Sequence, residues 1–266
     1  MFGWTLRVGA GGPFARFNPF YMFSAGEQGV LYDPSDLTTL SQDAAGTTPV
    51  TAAGQPVGRM LDKSGRGNHA TQSTAASRPL LQFNATTGAY YLAFDGIDDF
   101  LVTGNIDFTG TDKVAVFAGV RKLSDAAARA VAELSASPFA NISTFGLNAP
   151  GSTANSYRWI SRGTTSAVQV QPVKAAPTTD VLTGIGNISG NVTTLRINGT
   201  QAATSAANQG TGNYGNYPLY IGRRGGTTLP FNGHLYGLII TGRLTTDAET
   251  ANTERLLATK TGVVLS

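Results

Sequence analysis

Cysteine is absent from the 266 residues, which excludes a disulfide framework, a thiolate zinc site and a thiol nucleophile. Charge is scarce as well. Asp, Glu, Lys and Arg together make up 13 %, about half the usual share of a globular domain. The formal net charge of +3 reflects near-balance, and no run of Lys or Arg exists that would track a phosphate backbone. Nucleic acid is therefore not an expected partner. No stretch approaches the ~18 apolar residues that a membrane-crossing helix needs. The opening residues lack the basic start and apolar core of a secretory leader, so neither membrane insertion nor leader-driven export is expected. Glutamate is rare, with only Glu27, Glu133, Glu249 and Glu254 in the chain.

What is abundant is Gly, Ala, Ser, Thr and Asn around an ordinary apolar content of 41 %. A sizeable core is thus available, under a surface carried by hydroxyls and amides. Such a surface suits a protein built into an assembly, or one that meets neutral, hydroxylated partners. Three stretches divide the chain. Residues 1–30 crowd Phe2, Trp4, Phe14, Phe17, Phe20, Tyr21 and Phe23 among Gly9, Gly11, Gly12, Pro13 and Pro19. The Gly and Pro punctuation forbids a regular helix or central strand, so these aromatics read as an anchoring arm. Whether the arm wraps its own domain or docks on another subunit stays open. Residues 31–87 are polar and turn-rich, and pack on or lead into the remainder of the chain.

From residue 88 the pattern is persistently β. Tyr90, Leu92 and Phe94 share a face; so do Phe100 and Val102, and the intervening Asp-Gly predicts a hairpin turn. In "KVAVFAGVR" both faces are apolar, which predicts a buried central strand. "ARAVAELS", "SYRWISR", "SAVQVQ", "TDVLTGIGNIS", "VTTLRIN", "YPLYIGRR" and "HLYGLIITG" come next, bounded by Gly, Pro, Asn or Ser. Many short strands at even spacing predict an antiparallel sandwich or barrel. One helix is expected late in the chain, because Thr246 and Glu249 have capping-box spacing and Gly262 lies just past its end.

Several side chains are candidates for chemistry. Asp95, Asp98 and Asp99 fall within five residues and read first as turn formers that cap backbone amides. Asp98 and Asp99 are adjacent, so on an extended chain they point to opposite faces and cannot form a catalytic pair. Neither His69 nor His234 belongs to a defensible Ser-His-Asp set. In "SYRWISR", Arg158, Ile160 and Arg162 share one strand face and Tyr157 and Trp159 the other. Trp159 is either core or a stacking platform for a sugar. Tyr214 and Tyr217, in the amide-rich "NQGTGNYGNYP", read either as an adaptable contact surface or as partly buried loop residues.

The order of these segments is informative. "LAFDGIDDFL", then "TTLRINGT" with its Asn198-Gly199 turn, then "LYIGRR" and "FNGHLYGLIITGRLTTDAE" resemble the laminin G-like domains of the concanavalin A-like lectin/glucanase superfamily. The resemblance covers roughly residues 88–262 and implies an all-β jelly-roll sandwich of two antiparallel sheets over 88–266. It also implies a possible structural calcium, with Asp95, Asp98 and Asp99 as ligands and Asp62 as a contributor from another loop. The superfamily's glucanases carry Glu-x-Asp-x-x-Glu on a strand, and no glutamate here has that setting, so no enzyme is expected. A narrower resemblance, "LYDPSDLTTL" through "LDKSGRGNHATQ", is to the leading segment of laminin G-like proteins of tailed bacteriophages and prophages. It implies a virion protein, multi-copy or homo-oligomeric, assembled in the host cytoplasm. Such a protein meets other virion proteins through the arm and host-surface polysaccharide through the sandwich. A tail or tail-fibre position is the leading expectation. Head decoration and a free-standing carbohydrate-binding module are the alternatives.

Overall fold

Alternating side chains along a strand present two faces, and a second sheet must cover whichever face is apolar. The computed structural model describes residues 17–136, 142–164 and 167–266, and shows this solution. Strands β1 (Gly29–Tyr32), β2 (Leu40–Ser41), β3 (Arg59–Met60), β4 (Ala70–Thr71) and β5 (Leu80–Asn84) come first. Next are β6 (Ala89–Asp95), β7 (Leu101–Asp107), β8 (Lys113–Lys122), β9 (Ala130–Leu134), β10 (Thr144–Asn148), β11 (Arg158–Arg162) and β12 (Val168–Val170). The last strands are β13 (Thr178–Asn187), β14 (Val192–Ile197), β15 (Thr200–Ser205), β16 (Asn216–Ile221) and β17 (Asn232–Thr241), before helix α1 (Asp247–Thr261).

One antiparallel sheet runs β15-β14-β13-β8-β17-β6-β5, with β1 also on β17; the other runs β12-β11-β10-β9-β16-β7-β4-β3-β2. The turn-rich residues 31–87 thus add strands to both layers. Val114, Val116, Ala118 and Val120 of β8 face the inter-sheet core. Ala115 and Phe117, on the opposite face, are buried beneath Leu256, Leu257 and Ala258 of α1. Both faces of β8 are apolar because a helix covers the second. The capping box of Thr246 and Glu249 opens α1, and Gly262 closes it at φ 76°. Met22 and Phe23, in a short 3-10 helix over Pro19–Phe23, enter the same cluster beneath α1.

Large aromatics set the fit between the layers. The Trp159 indole crosses from β11 to β13, where its Nε1–H donates to the Ile185 carbonyl at 3.0 Å. A Cβ on Gly184 would lie 2.5 Å from that indole, and one on Gly186 would lie 2.8 Å from Ser161 Oγ and closer still to the Tyr214 hydroxyl. Residues i and i+2 of β13 are glycine because two rings occupy the space of their side chains. At the far end of β8, Lys122 points inward and is fully buried. Its ammonium pairs with Asp125 at 2.6 Å and lies 4.7 Å from the Tyr157 ring centroid, while the Tyr157 hydroxyl donates to Asp180 at 2.7 Å.

The segment between β6 and β7 departs from expectation. It is not a hairpin: β6 pairs with β5 and β17 in one sheet, whereas β7 pairs with β16 and β4 in the other. Leu92, Phe94 and Leu101 all face the shared core, and a chain crossing between layers satisfies that alternation as well as a hairpin does. The acids hold this crossing in place. Asp95 Oδ1 accepts from the Ile97 and Asp98 amides at 2.7 and 3.2 Å, and Asp99 Oδ2 accepts from the Asp95 amide at 3.0 Å. Ser77 Oγ donates to Asp98 Oδ2 at 2.6 Å. Burial, reinforced by the charges of Asp95 and Asp98, pushes the Asp99 carboxyl up to about 6.

Two outcomes are expected from this packing. Gly184→Ala drives a methyl into the Trp159 indole and should destabilise the domain by about 1–3 kcal/mol in denaturant titrations. Trp159→Phe in the same background should recover part of the loss. Asp99 titrates above the ordinary carboxylate range, so ionising it costs stability. That cost is absent below about pH 4 and grows as pH rises through about 6. Asp99→Asn keeps an acceptor for the Asp95 amide, and in chelator should melt roughly 2–6 °C higher at pH 7.5, with no gain at pH 4.

Candidate functional site

Among the described residues, the outer face of the nine-stranded sheet carries a charged pocket assembled around a row of residues that crosses several strands. The ladder aligns Gln169 with Ile160, Ile160 with Gly146, Gly146 with Glu133, and Glu133 with Tyr220. Their in-strand neighbours Trp159, Phe145, Leu147 and Leu134 face the core, so alternation turns this row outward. Arg158 and Arg162 flank Ile160 on the same face of β11, and Arg224 reaches in from the turn after β16. The cavity they enclose is about 210 Å³. Gly146 leaves its floor low, since a Cβ there would stand 3.5 Å from Glu133 Oε2.

Its electrostatics are lopsided. Arg158, Arg162 and Arg224 line the pocket, and Glu133 is the one carboxylate among its described lining residues. Glu133 is 5 % exposed and its Oε2 accepts from Arg224 Nε at 2.6 Å. Burial still pushes its carboxyl above the usual range, against the pull of Arg224, Ser135 and Arg158. Arg158 is 8 % exposed; burial, then repulsion from Arg224, lowers its guanidinium to about 10, leaving it a cation at neutral pH. Its Nε donates to Asn148 Oδ1 at 3.3 Å. The pocket can receive an acceptor-rich ligand. Hydrolysis by the two-carboxylate route would need a second acid about 5–10 Å away, and its described lining holds none.

The residues singled out from sequence lie elsewhere. The candidate ligand oxygens of Asp95, Asp98 and Asp99 all fall within 4.8 Å of one another, at the sheet-to-sheet crossing. Asp95 Oδ2, Asp98 Oδ1 and Asp99 Oδ1 remain outside the hydrogen bonds above. Three such oxygens fit one side of a calcium shell, which takes six to eight. Asp62 does not join them, because its carboxylate accepts from the Leu31, Ser64 and Asn68 amides and the Ser64 hydroxyl. Trp159 and Tyr214 are corrected as contact residues. Both are buried in the inter-sheet core, where desolvating a large ring is worth more than an exposed platform. Tyr217 is half-buried against the same core.

Of the anchoring aromatics, Phe2, Trp4 and Phe14 lie outside the described residues. Phe17 is half-buried, Phe23 is packed under α1, and Phe20 and Tyr21 are exposed. His69 Nδ1 accepts from the Asp62 amide at 3.0 Å, and His234 stacks on Tyr91 at 4.3 Å. Burial, then the Arg121 charge, lowers His234 to about 4. A wider cleft of about 920 Å³ lies between α1 and the β14–β15 turn, but its Arg196 and Glu254 are bonded to each other at 2.8 Å. Arg158, Ile160 and Arg162 are legible in the sequence as one strand face. Glu133 and Arg224 are not, and no local motif marks them.

Comparison with known proteins agrees with this architecture. A family profile described as the concanavalin A-like lectin/glucanases superfamily, of laminin G type, matches residues 94–251. No curated protein sequence gives a significant match. Among solved structures, an α-L-arabinofuranosidase of family GH54 aligns at TM-score 0.64 and 14 % identity, over 92 % of this chain and 66 % of that one. A botulinum neurotoxin type C structure, whose cell entry is described as dependent on two ganglioside molecules, aligns at 0.57 and 10 %, over 87 % and 51 %. The binding domain of botulinum neurotoxin DC, in complex with SialylT, aligns at 0.54 and 11 %, over 74 % and 48 %. The chain therefore spans about half the length of these toxin structures. At such identities the likeness is one of fold. With the profile covering more than half of its length, the chain belongs to the concanavalin A-like lectin/glucanases superfamily.

Proposed function

We propose that this chain is a non-enzymatic, lectin-like binding domain of a tailed-bacteriophage virion protein, displayed on the tail or a tail fibre, that attaches to host-surface polysaccharide. The observation that carries the binding reading is the pocket on the outer sheet face. It is built mainly from strand residues in register, is polar, and the single acid among its described lining residues is already ion-paired. A site on strands is held more rigidly than one on loops, which suits recognition of a ring of fixed shape. Glycan ligands named for the toxin structures belong to those proteins and only make a saccharide partner a natural first test.

The virion reading rests on the phage-like leading segment and on the aromatic arm. Phe20 and Tyr21 stay exposed after Met22 and Phe23 have docked, so the arm retains apolar surface for another virion protein. Calcium at Asp95, Asp98 and Asp99 belongs to the same reading, as a ligand that would replace mutual repulsion by attraction at the crossing loop. A glycan array probed with the full chain, with and without calcium, should show saturable binding to bacterial surface polysaccharides. Uniform background would remove the lectin reading. Antibody-labelled electron microscopy of particles should place the domain on the tail. Replacing Phe20 and Tyr21 together by Ser should preserve the melting transition and abolish incorporation, whereas normal incorporation would reject this surface as the anchor.

A further inference from the structure

We propose that the pocket on the nine-stranded sheet selects acidic sugars, with the oxyanion of a uronate, sialate or sulfated residue held between Arg158 and Arg162 above Gly146. This rests on the binding reading above and adds the ligand's charge to it. Among the described residues, three guanidiniums and one carboxylate line the cavity, an excess of positive charge in a chain where charge is otherwise scarce.

The cations are not spread over open surface, where each would be solvated and screened. Arg158 is almost wholly buried in the sheet face, beside the equally buried Asn148. The Asn148 side-chain amide nitrogen has no hydrogen-bond partner among the described residues. Asn148 lies beneath the pocket lining, and what it gives the site is orientation, since its Oδ1 holds the Arg158 Nε–H at 3.3 Å. Glu133 cannot serve Arg158 fully, because its Oε2 is committed to Arg224 at 2.6 Å. A guanidinium presents paired N–H groups to an oxyanion, and such charge-assisted bonds are the strong ones in a partly desolvated site. The geometry adds size selection. Gly146 opens the floor, and about 210 Å³ is below the range of drug-sized pockets and matches a single sugar ring. Glu133, fixed by Arg224, leaves acceptor capacity for a ring hydroxyl.

The test is equilibrium binding of the full chain to immobilised polygalacturonate, dextran sulfate and neutral dextran, at low and physiological salt. Polygalacturonate or dextran sulfate should bind at least about tenfold more tightly than dextran. Whichever binds identifies carboxylate or sulfate as the natural oxyanion. Arg162→Gln, at a half-buried position that tolerates the change, should weaken that binding at least about tenfold. Arg255→Gln removes the same charge from the exposed side of α1 and should leave binding unchanged. Glu133→Gln should tighten it at least about threefold by removing the pocket's own anion. Gly146→Val, its folding verified by melting, should abolish it. Equal losses in Arg162→Gln and Arg255→Gln would reduce the effect to general polyanion attraction and overturn the assignment. Equal binding of dextran and the acidic polymers overturns it too, while leaving the lectin reading intact. Failure to bind glycan of any charge across the array sinks both.

Discussion

Two sheets can share a core only if the side chains of one find room in the other. Here that room is made by Gly184 and Gly186 on the inner face of β13, into which Trp159 and Tyr214 descend from the opposite layer. The Trp159 Nε1–H then finds the Ile185 carbonyl, so the largest side chain in the core is both packed and hydrogen-bonded. The outer face of β11 depends on this contact. With Trp159 fixed inward, alternation leaves Arg158, Ile160 and Arg162 nowhere but outward, and the pocket's cations are positioned by a ring on the other side of the strand. Arg158 is held near the edge of the low-dielectric interior because the strand that carries it, β11, cannot roll.

Much of this is readable from residues alone. The alternation of β8, the Asn198-Gly199 turn between β14 and β15, and the Thr246–Glu249 box of α1 are local features whose physics is complete within a few residues. Strand β10 gives no such signal: "TFGLN" is short, contains glycine, and carries little alternation of its own. The Asp95–Phe100 crossing reads as a hairpin for a different reason. Asp-Gly specifies that the chain turns, and leaves open which strands receive the two ends. Partner choice is a property of the whole sheet order, and a window of ten residues does not contain it.

The pocket is the least legible part. Glu133 and Arg224 are 91 positions apart and meet only because β9 and β16 are neighbours in one sheet. A cross-strand row takes one residue from each strand, so its members have no fixed spacing and form no motif. Clusters that do stand out in a linear reading are biased toward turns, as the three aspartates show. The carboxylates of Asp95 and Asp99 serve backbone amides, and that of Asp98 the Ser77 hydroxyl, at a crossing that any two-layer fold must make somewhere. Aromatic loops are similarly deceptive: Tyr214 sits among Gly and Asn yet ends in the core.

One feature of the eight-stranded sheet bears on how the domain would carry load. Strand β17 offers a single edge to two partners in tandem, β6 along Asn232–Leu235 and β1 along Leu238–Thr241. The chain entering at β1 is therefore stitched to the middle of a sheet, with Met22 and Phe23 plugged under the helix just before it. Tension applied through the N-terminal arm would meet four residue pairs of ladder loaded together, lengthwise, instead of a hairpin that opens one bond at a time. A domain fastened in this way can be tugged from one end while the opposite sheet, with its charged pocket, keeps its shape.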